Sequence, residues 1–394
     1  MNVKIGLFGF GVVGQGFYHI LSQKNGSAPG RVSRICVRDR DKRRPLPAHH
    51  FTFDPAVILD DPEITHVVEL TDRPEDAFQI VRKALQRGKI VISANKKMLS
   101  ERLNEVSALQ RQYPGALLYE ASACGSIPVF QNLEHYYAHD EVYRIEGIFN
   151  GSTNYVLTQM SGQGMSYAEA LAQAQALGFA ETNPTLDVDA HDPASKLALL
   201  TAHALGYLLA PEAIFRFGIR TIHRADIDFA ARQGRKIRLL GRAALRPAGR
   251  LEAFVLPAFV AADSPFFALN NEYNGVQIQS KYMENQWLSG KGAGSLPTGF
   301  AVLGDLAASL RPGYPGYTRV QQAQGIQPDT DTPLHLYLRF PDTASRALLP
   351  EFEPEAQENS PAGLQLRGRV SLQHLIFRRQ ALLDAGVFLA RWED

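Results

Sequence analysis

The first fourteen residues constrain this chain more than any other stretch. Val3 to Phe8 is a short apolar run that ends in Gly9-Phe10-Gly11-Val12-Val13-Gly14, after which Val13 to Gln23 has the pattern of a helix. A G-x-G-x-x-G that follows a strand and opens a helix is a dinucleotide fingerprint. Its glycines permit the tight turn, the close approach of backbone to a pyrophosphate, and helix–strand packing. The diphosphate sits on the helix N-terminus, where unpaired N–H groups and the helix dipole favour an anion. Gly9, Phe10, Gly11, Val12, Val13 and Gly14 are the candidate cofactor residues of this turn.

The pattern continues as a nucleotide-binding sheet. Strands are expected over Val32–Val37, Thr65–Leu70, Lys89–Ser93 and Ala116–Tyr119, with helices over Pro74–Gln86 and Glu101–Arg111. That alternation predicts an α/β class with an N-terminal Rossmann-type, doubly wound parallel sheet and ligands at its carboxyl edge. Thr71 and Lys96 fall just beyond strand ends, where a nicotinamide would lie. The second strand runs into Arg38-Asp39-Arg40-Asp41-Lys42-Arg43-Arg44. A guanidinium pairs well with a ribose 2′-phosphate, so Arg38 and Arg40 favour NADP, while Asp39 keeps NAD open.

At 394 residues the chain is long enough for two or three domains. A net charge of +1 gives no reason to expect a nucleic-acid partner. Cys36 and Cys124 have no metal-ligand spacing, which fits a reducing compartment. No apolar run approaches the roughly 18 residues of a membrane span, so a cytoplasmic enzyme is expected.

The densest chemistry lies in Gly178 to Lys196, GFAETNPTLDVDAHDPASK, which holds Glu181, Asp187, Asp189, Asp192 and a single lysine. Asp192-Pro193 reads as a helix start, so Asp192 and Lys196 share a helix face one turn apart. A solvated acidic loop is the plain alternative. The flanking Ala/Leu-rich helices argue against it, because charges held between buried elements need partners or a substrate. Asp192 could equally serve as a helix cap. Further along, Lys236–Ala244, Leu251–Val260 and Gly275–Ser280 suggest a mixed or antiparallel sheet.

Six motifs in order now carry a family resemblance: GFGVVGQG at 9–16, SANKKML at 93–99, EASACGSIP at 120–128, IEGIFNGSTNYVL at 145–157, the 178–196 stretch, and GKGAGSLPTGFAVLGDL at 290–306. The chain resembles homoserine dehydrogenases, NAD(P)-dependent enzymes that interconvert L-homoserine and L-aspartate 4-semialdehyde, on the route to threonine, methionine and isoleucine. The resemblance implies that Lys196 is the proton donor and acceptor, its pKa lowered by burial and by a second amine, Lys96. It implies that Glu181, Asp187 and Asp192 receive the substrate or orient Lys196, and that Gly292 approaches the cofactor. It implies a monovalent cation, sodium, on the main-chain carbonyls of Glu120, Ala123, Gly125 and Ile127. It also implies a homodimer built on the second domain's sheet, and a nucleotide domain at 1–130 completed by 290–312, with a catalytic and dimerisation domain at 131–289.

Two departures stand out. Ala190 replaces a glycine usual in the family, which argues against a left-handed turn there, and Cys124 reads as a packed small residue rather than a nucleophile. Residues 313–394 are expected to form a small appendage, a reduced ACT-like fold, with strands over Thr332–Phe340, Gly368–Phe377 and Gly386–Trp392. No kinase-like segment precedes the first strand, so a monofunctional enzyme is expected. Two other functions fit the sequence: another amino-acid or semialdehyde dehydrogenase on the same fold, which Glu181 and Asp187 speak against, and a non-catalytic cofactor-binding regulator, which would bind without turnover.

Overall fold

A computed structural model describes residues 3–24, 28–312, 314, 316–317, 320 and 325–392. The chain divides into two compact units. The first is Met1–His139 with Leu199–Ala210 and Gly290–Gln322; the second is Asp140–Ala198 with Pro211–Ser289 and Ala323–Asp394.

In the first unit six strands run parallel in the order Phe51–Thr52, Gly30–Cys36, Val3–Phe8, Ile64–Glu69, Ile90–Ser93, Leu117–Leu118. In chain order this is 3-2-1-4-5-6, the Rossmann arrangement, and its direction reverses between Val3–Phe8 and Ile64–Glu69. Ile5, Leu7, Val67, Val68 and Ile92 are fully buried, as expected of strands covered on both faces. The helix Val12–Ser22 packs on Ser295–Ser309 through glycines. A Cβ on Gly16 would stand 2.1 Å from the Ser295 carbonyl oxygen, and one on Gly299 would stand 2.6 Å from the Phe17 nitrogen. That close approach explains why the segment after Gly290 belongs to this unit. The helix expected at Glu101 starts instead at Lys96, because the Asn95 side chain accepts the Met98 N–H and caps it.

The second unit is built on a mixed sheet. Its order is Glu284–Lys291, Tyr273–Ser280, Val142–Ile148, Lys236–Arg246, Arg250–Val260, Phe388–Trp392, Pro333–Phe340, Gly363–Ser371, Glu353–Ser360. Pairing is antiparallel from Tyr273–Ser280 to Val142–Ile148, from there to Lys236–Arg246 and on to Arg250–Val260, and parallel where Arg250–Val260 meets Phe388–Trp392. Residues 333–392 follow a β-β-β-α-β course in which a single 3-10 turn, Ala344–Leu348, stands where a split β-α-β-β-α-β fold has its first helix. These strands do not stand apart as an appendage. Leu336, Leu338, Phe340, Leu375, Leu382 and Leu389 share one core with Phe217, Phe254 and Leu256. The strand expected over Gly368–Phe377 ends at Ser371, and Leu372–Asp384 is a helix that buries Leu372, Leu375 and Leu382 along one face. The expected strand therefore runs six residues into this helix, Leu372 to Phe377.

The first unit also buries two carboxylates side by side. Tyr317 Oη donates to Asp305 Oδ1 at 2.6 Å and to Glu120 Oε2 at 3.3 Å, and the Glu120 N–H donates to Asp305 Oδ2 at 2.8 Å. Burial, then the Asp305 charge, pushes Glu120 up to about 8, while burial pushes Asp305 up to about 7. Both folded values exceed the ordinary carboxylate range. The pair's contribution to stability is therefore full below about pH 4 and lost as pH rises through 7 and 8. Melting temperature is expected to fall across that window, with a shallower fall in Asp305→Asn; an equally steep profile in the variant, read by calorimetry, would contradict the assignment.

Candidate active site

Each unit carries one half of the chemistry. In the first, Gly9 takes a φ of +87° and sits against the chain beyond the fourth strand, where a Cβ would lie 2.5 Å from the Leu70 oxygen. A Cβ on Gly14 would lie 2.5 Å from the Gly9 oxygen, so both outer glycines are needed by the turn itself. Gly11 is different: a Cβ there would meet nothing within 4 Å. Its space opens over the N-terminus of Val12–Ser22, which has no side-chain cap, leaving N–H groups for an anion. Phe10 is buried, Val12 is exposed and Val13 is partly buried. This cradle fits a dinucleotide diphosphate.

At the carboxyl edge of the sheet, a carboxylate that sequence reasoning did not single out ties two loops together. Glu69, fully buried, accepts from Thr71 N–H at 2.7 Å, Thr71 Oγ1 at 2.6 Å and Ser93 Oγ at 2.6 Å. Asn95 Nδ2 donates to the Thr71 carbonyl at 3.1 Å. Burial raises the Glu69 pKa, while the bonds from Ser93 and Thr71 oppose that rise. The loops carrying Thr71 and Lys96 are thus tied together, with Lys96 partly buried and Lys97 exposed near Glu101. The only sequence signal for Glu69 is a carboxylate closing an apolar strand.

The Arg38 and Arg40 side chains are exposed; Arg38 stands 3.7 Å from Asp76, and Arg40 stacks over Phe53 at 4.6 Å. Asp39 Oδ1 accepts the N–H groups of Asp41 and Lys42 at 2.9 and 3.1 Å. Gly292 lies beside the 120–128 turn, where a Cβ on Gly125 would meet its carbonyl oxygen at 2.6 Å. Cys124 and Gly125 take φ of 51° and 56°, so the turn is built from consecutive left-handed residues. Cys124 is fully buried. The Glu120 and Ile127 carbonyls accept N–H groups from Ala123 and Val129, at 3.4 and 2.9 Å.

In the second unit the helix His191–Leu205 holds Lys196 only 7% exposed. Its Nζ donates to Asp192 Oδ2 at 2.9 Å and to the Phe149 carbonyl at 2.6 Å. The helix begins one residue before Asp192, whose carboxylate turns to Lys196 and Asn150. Asn150 Nδ2 donates to Asp187 Oδ1 at 2.6 Å and to Asp192 Oδ2 at 2.9 Å, while its Oδ1 caps the next helix by accepting the Thr153 N–H at 2.9 Å. Burial raises the Asp187 pKa, opposed by the Asn150 bond. In the sequence Asn150 shows only as part of the 145–157 motif, without this bridge.

The structure thus gathers Asp187, Asp192 and Lys196, and leaves Glu181 exposed on the preceding loop. Asp189, partly exposed, is gripped at both oxygens by Arg220, at 2.8 and 2.7 Å. Ala190 corrects an expectation. It is fully buried with φ of 65°, so the left-handed turn is kept without glycine, at a cost of about 1–2 kcal/mol.

Comparison with known proteins bears on both halves. Residues 9–120 match the family model described as homoserine dehydrogenase, NAD binding domain, and residues 128–307 match the one described as homoserine dehydrogenase. The homoserine dehydrogenase of Lactococcus lactis is 34% identical over 321 residues, 79% of this chain and 75% of that protein. That of Synechocystis is 36% identical over 315 residues, 78% and 73% of the two chains. The chain belongs to the homoserine dehydrogenase family. It is thereby an oxidoreductase acting on a CH–OH group with a nicotinamide dinucleotide. A homoserine dehydrogenase of Thiobacillus denitrificans shares the fold with a TM-score of 0.86 at 27% identity, covering 100% of this chain and 99% of that one. Both units of this family member therefore have a solved counterpart. No helix among the described residues is long and apolar enough to cross a membrane.

Proposed function

We propose that the chain interconverts L-homoserine and L-aspartate 4-semialdehyde with NADP as the preferred cofactor, and that Lys196 moves the proton. The observation that carries this reading is the buried Lys196 ammonium held between the Asp192 carboxylate and the Phe149 carbonyl. Gly9, Gly11 and Gly14 cradle the cofactor diphosphate, and the bound nicotinamide supplies the hydride acceptor or donor. In oxidation Lys196 acts as the neutral amine and takes the hydroxyl proton as hydride leaves the carbinol carbon. In reduction the Lys196 ammonium returns a proton to the aldehyde oxygen. Asp192 fixes Nζ and balances its charge, and Asn150 fixes Asp192 and Asp187 against each other. Asp187, Asp192 and the exposed Glu181 offer carboxylates to the substrate's α-ammonium. Lys96 is assigned to offset the charge that develops on the aldehyde oxygen. Reduced-nicotinamide absorbance on adding L-homoserine and NADP to the purified protein tests the reading; cofactor binding without turnover would favour a regulator instead.

The preference for NADP is supported at the second strand's end. Asp39 is occupied with its own turn, whereas Arg38 and Arg40 hold exposed guanidinium groups for a 2′-phosphate. Arg38→Ala with Arg40→Ala is expected to raise KM for NADP by at least about tenfold, the loss of one charge-assisted contact. KM for NAD should hold steady, and equal losses with both cofactors would contradict the assignment.

Sodium is assigned to the main-chain carbonyls of Glu120, Ala123, Gly125 and Ile127, oxygen ligands suited to a hard cation. Turnover that is unchanged when tetramethylammonium replaces sodium would remove it. A cytoplasmic homodimer completes the reading. Two free, buried cysteines fit a reducing compartment, and Tyr143, Tyr273 and Tyr282 stay exposed in and beside the sheet of the second unit. Sedimentation as a monomer would refute the dimer.

A further inference from the structure

The second unit holds a cavity of about 410 Å³ that the dehydrogenase reaction does not use. Arg144, Arg242, Arg246 and Arg391 line it together with Glu252 and His335. Strand register builds the cluster. Glu146 lies opposite Arg242, and Arg144 and Glu252 both lie opposite Ala244, so these side chains share one face of the sheet. Glu146 is fully buried beneath and is bonded by Arg144 and Arg391, with Arg242 at 3.7 Å. Glu252 stands 2.9 Å from Arg242 Nε, an ion pair without hydrogen-bond geometry, and is also paired with Arg246. At the rim Asp329 stands 3.9 Å from Arg246 but is bound more closely by Arg250, at 3.0 Å. His335 leans on Glu355 at 3.1 Å.

Four guanidinium groups thus surround two central carboxylates, with Asp329 at the rim shared with Arg250. At the centre four positive charges meet two negative ones, Glu146 and Glu252, an excess of two. Burial, with Arg391 and Arg144 adding to it, pushes Arg242 down to about 10. The cluster is therefore short of negative charge at its centre, and buried charge calls for a partner. Planar guanidinium forks match the paired oxygens of carboxylate and phosphate alike, and a phosphate dianion also supplies the two negative charges that the centre lacks.

We propose that this cavity is a binding site for a small phosphate dianion, separate from the dehydrogenase chemistry, with Arg144 and Arg246 as its accessible clamps. Inorganic phosphate and a simple phosphate monoester, glycerol phosphate, distinguish a free ion from a phosphorylated metabolite by which binds tighter.

The test titrates each into the full-length protein at constant ionic strength set with chloride, because unspecific screening would otherwise imitate binding. Calorimetric titration and melting temperature are both read. A saturable heat and a saturable rise in melting temperature are expected. Arg144→Gln with Arg246→Gln should weaken binding about tenfold or more. Both positions lie outside the catalytic machinery, so homoserine turnover and circular dichroism of the variant should match the unmodified protein. No response beyond that of chloride overturns the proposal, as does a response undiminished in the variant. A variant that loses a dimer while neither form binds phosphate would assign the arginines to a subunit contact and overturn it equally. If the double variant fails to fold, Arg246→Gln alone, at a side chain 39% exposed, gives the same readout.

Discussion

Replacing Lys196 by alanine is expected to lower kcat for homoserine oxidation by roughly 10²- to 10⁴-fold, the range that a positioned acid–base group contributes. The loss should appear in kcat rather than in cofactor affinity, because the glycine cradle lies in the other unit. Alanine carries a second cost, however. It leaves Asp192, 7% exposed, without its cation, and breaking a buried pair typically costs about 3–5 kcal/mol. Lys196→Arg separates the two effects. It keeps a cation beside Asp192 but cannot give up its proton, so it should fold, bind NADP and remain inactive. An arginine variant within about threefold of the parent rate would remove Lys196 from proton transfer, since an acid–base role is worth far more.

Asn150→Ala should have the next largest effect, on the order of 10²-fold in kcat/KM, the size of a small misplacement of reacting groups. One amide nitrogen lies between Asp187 and Asp192, at 2.6 and 2.9 Å, and the same side chain's oxygen caps the helix that begins at Gly151. Alanine removes both, with about 0.5–2 kcal/mol lost at the cap alone. The two carboxylates would then repel without a donor between them, and Lys196 would lose the fixed position of its partner. Asn150→Ser retains a capping oxygen but cannot bridge. It should recover stability without recovering rate, and a serine variant that restores both would show that capping is the whole role of Asn150.

What could be read in the sequence follows from how local each signal is. The glycine turn and the first-unit strands rest on short-range period and spacing, and the sheet formed as the alternation required. The Asp192–Lys196 pair was legible because one helical turn separates its members. Asn150 was legible only as part of the 145–157 motif, since its bridge spans 37 and 42 positions of chain. Glu69 gave no local sign of the four bonds that tie Thr71, Ser93 and Asn95 into one edge. Ala190 shows the limit of residue rules in another way: a buried site overrode the preference for glycine. At the C-terminus, Leu372 to Asp384 mixes β-favouring Ile376 and Phe377 with a helical stripe of leucines, and the stripe prevailed because it faces a core.

The central claim is that a lysine clamped by Asp192 moves the alcohol proton while hydride passes to the nicotinamide. The most direct measurement is L-homoserine-dependent NADP reduction by the unmodified protein and by Lys196→Arg, side by side, with NADP binding confirmed for both. The account predicts steady reduction by the former and a rate at least about 10²-fold lower for the latter. Comparable rates from both proteins, or no reduction by the unmodified one, would contradict it.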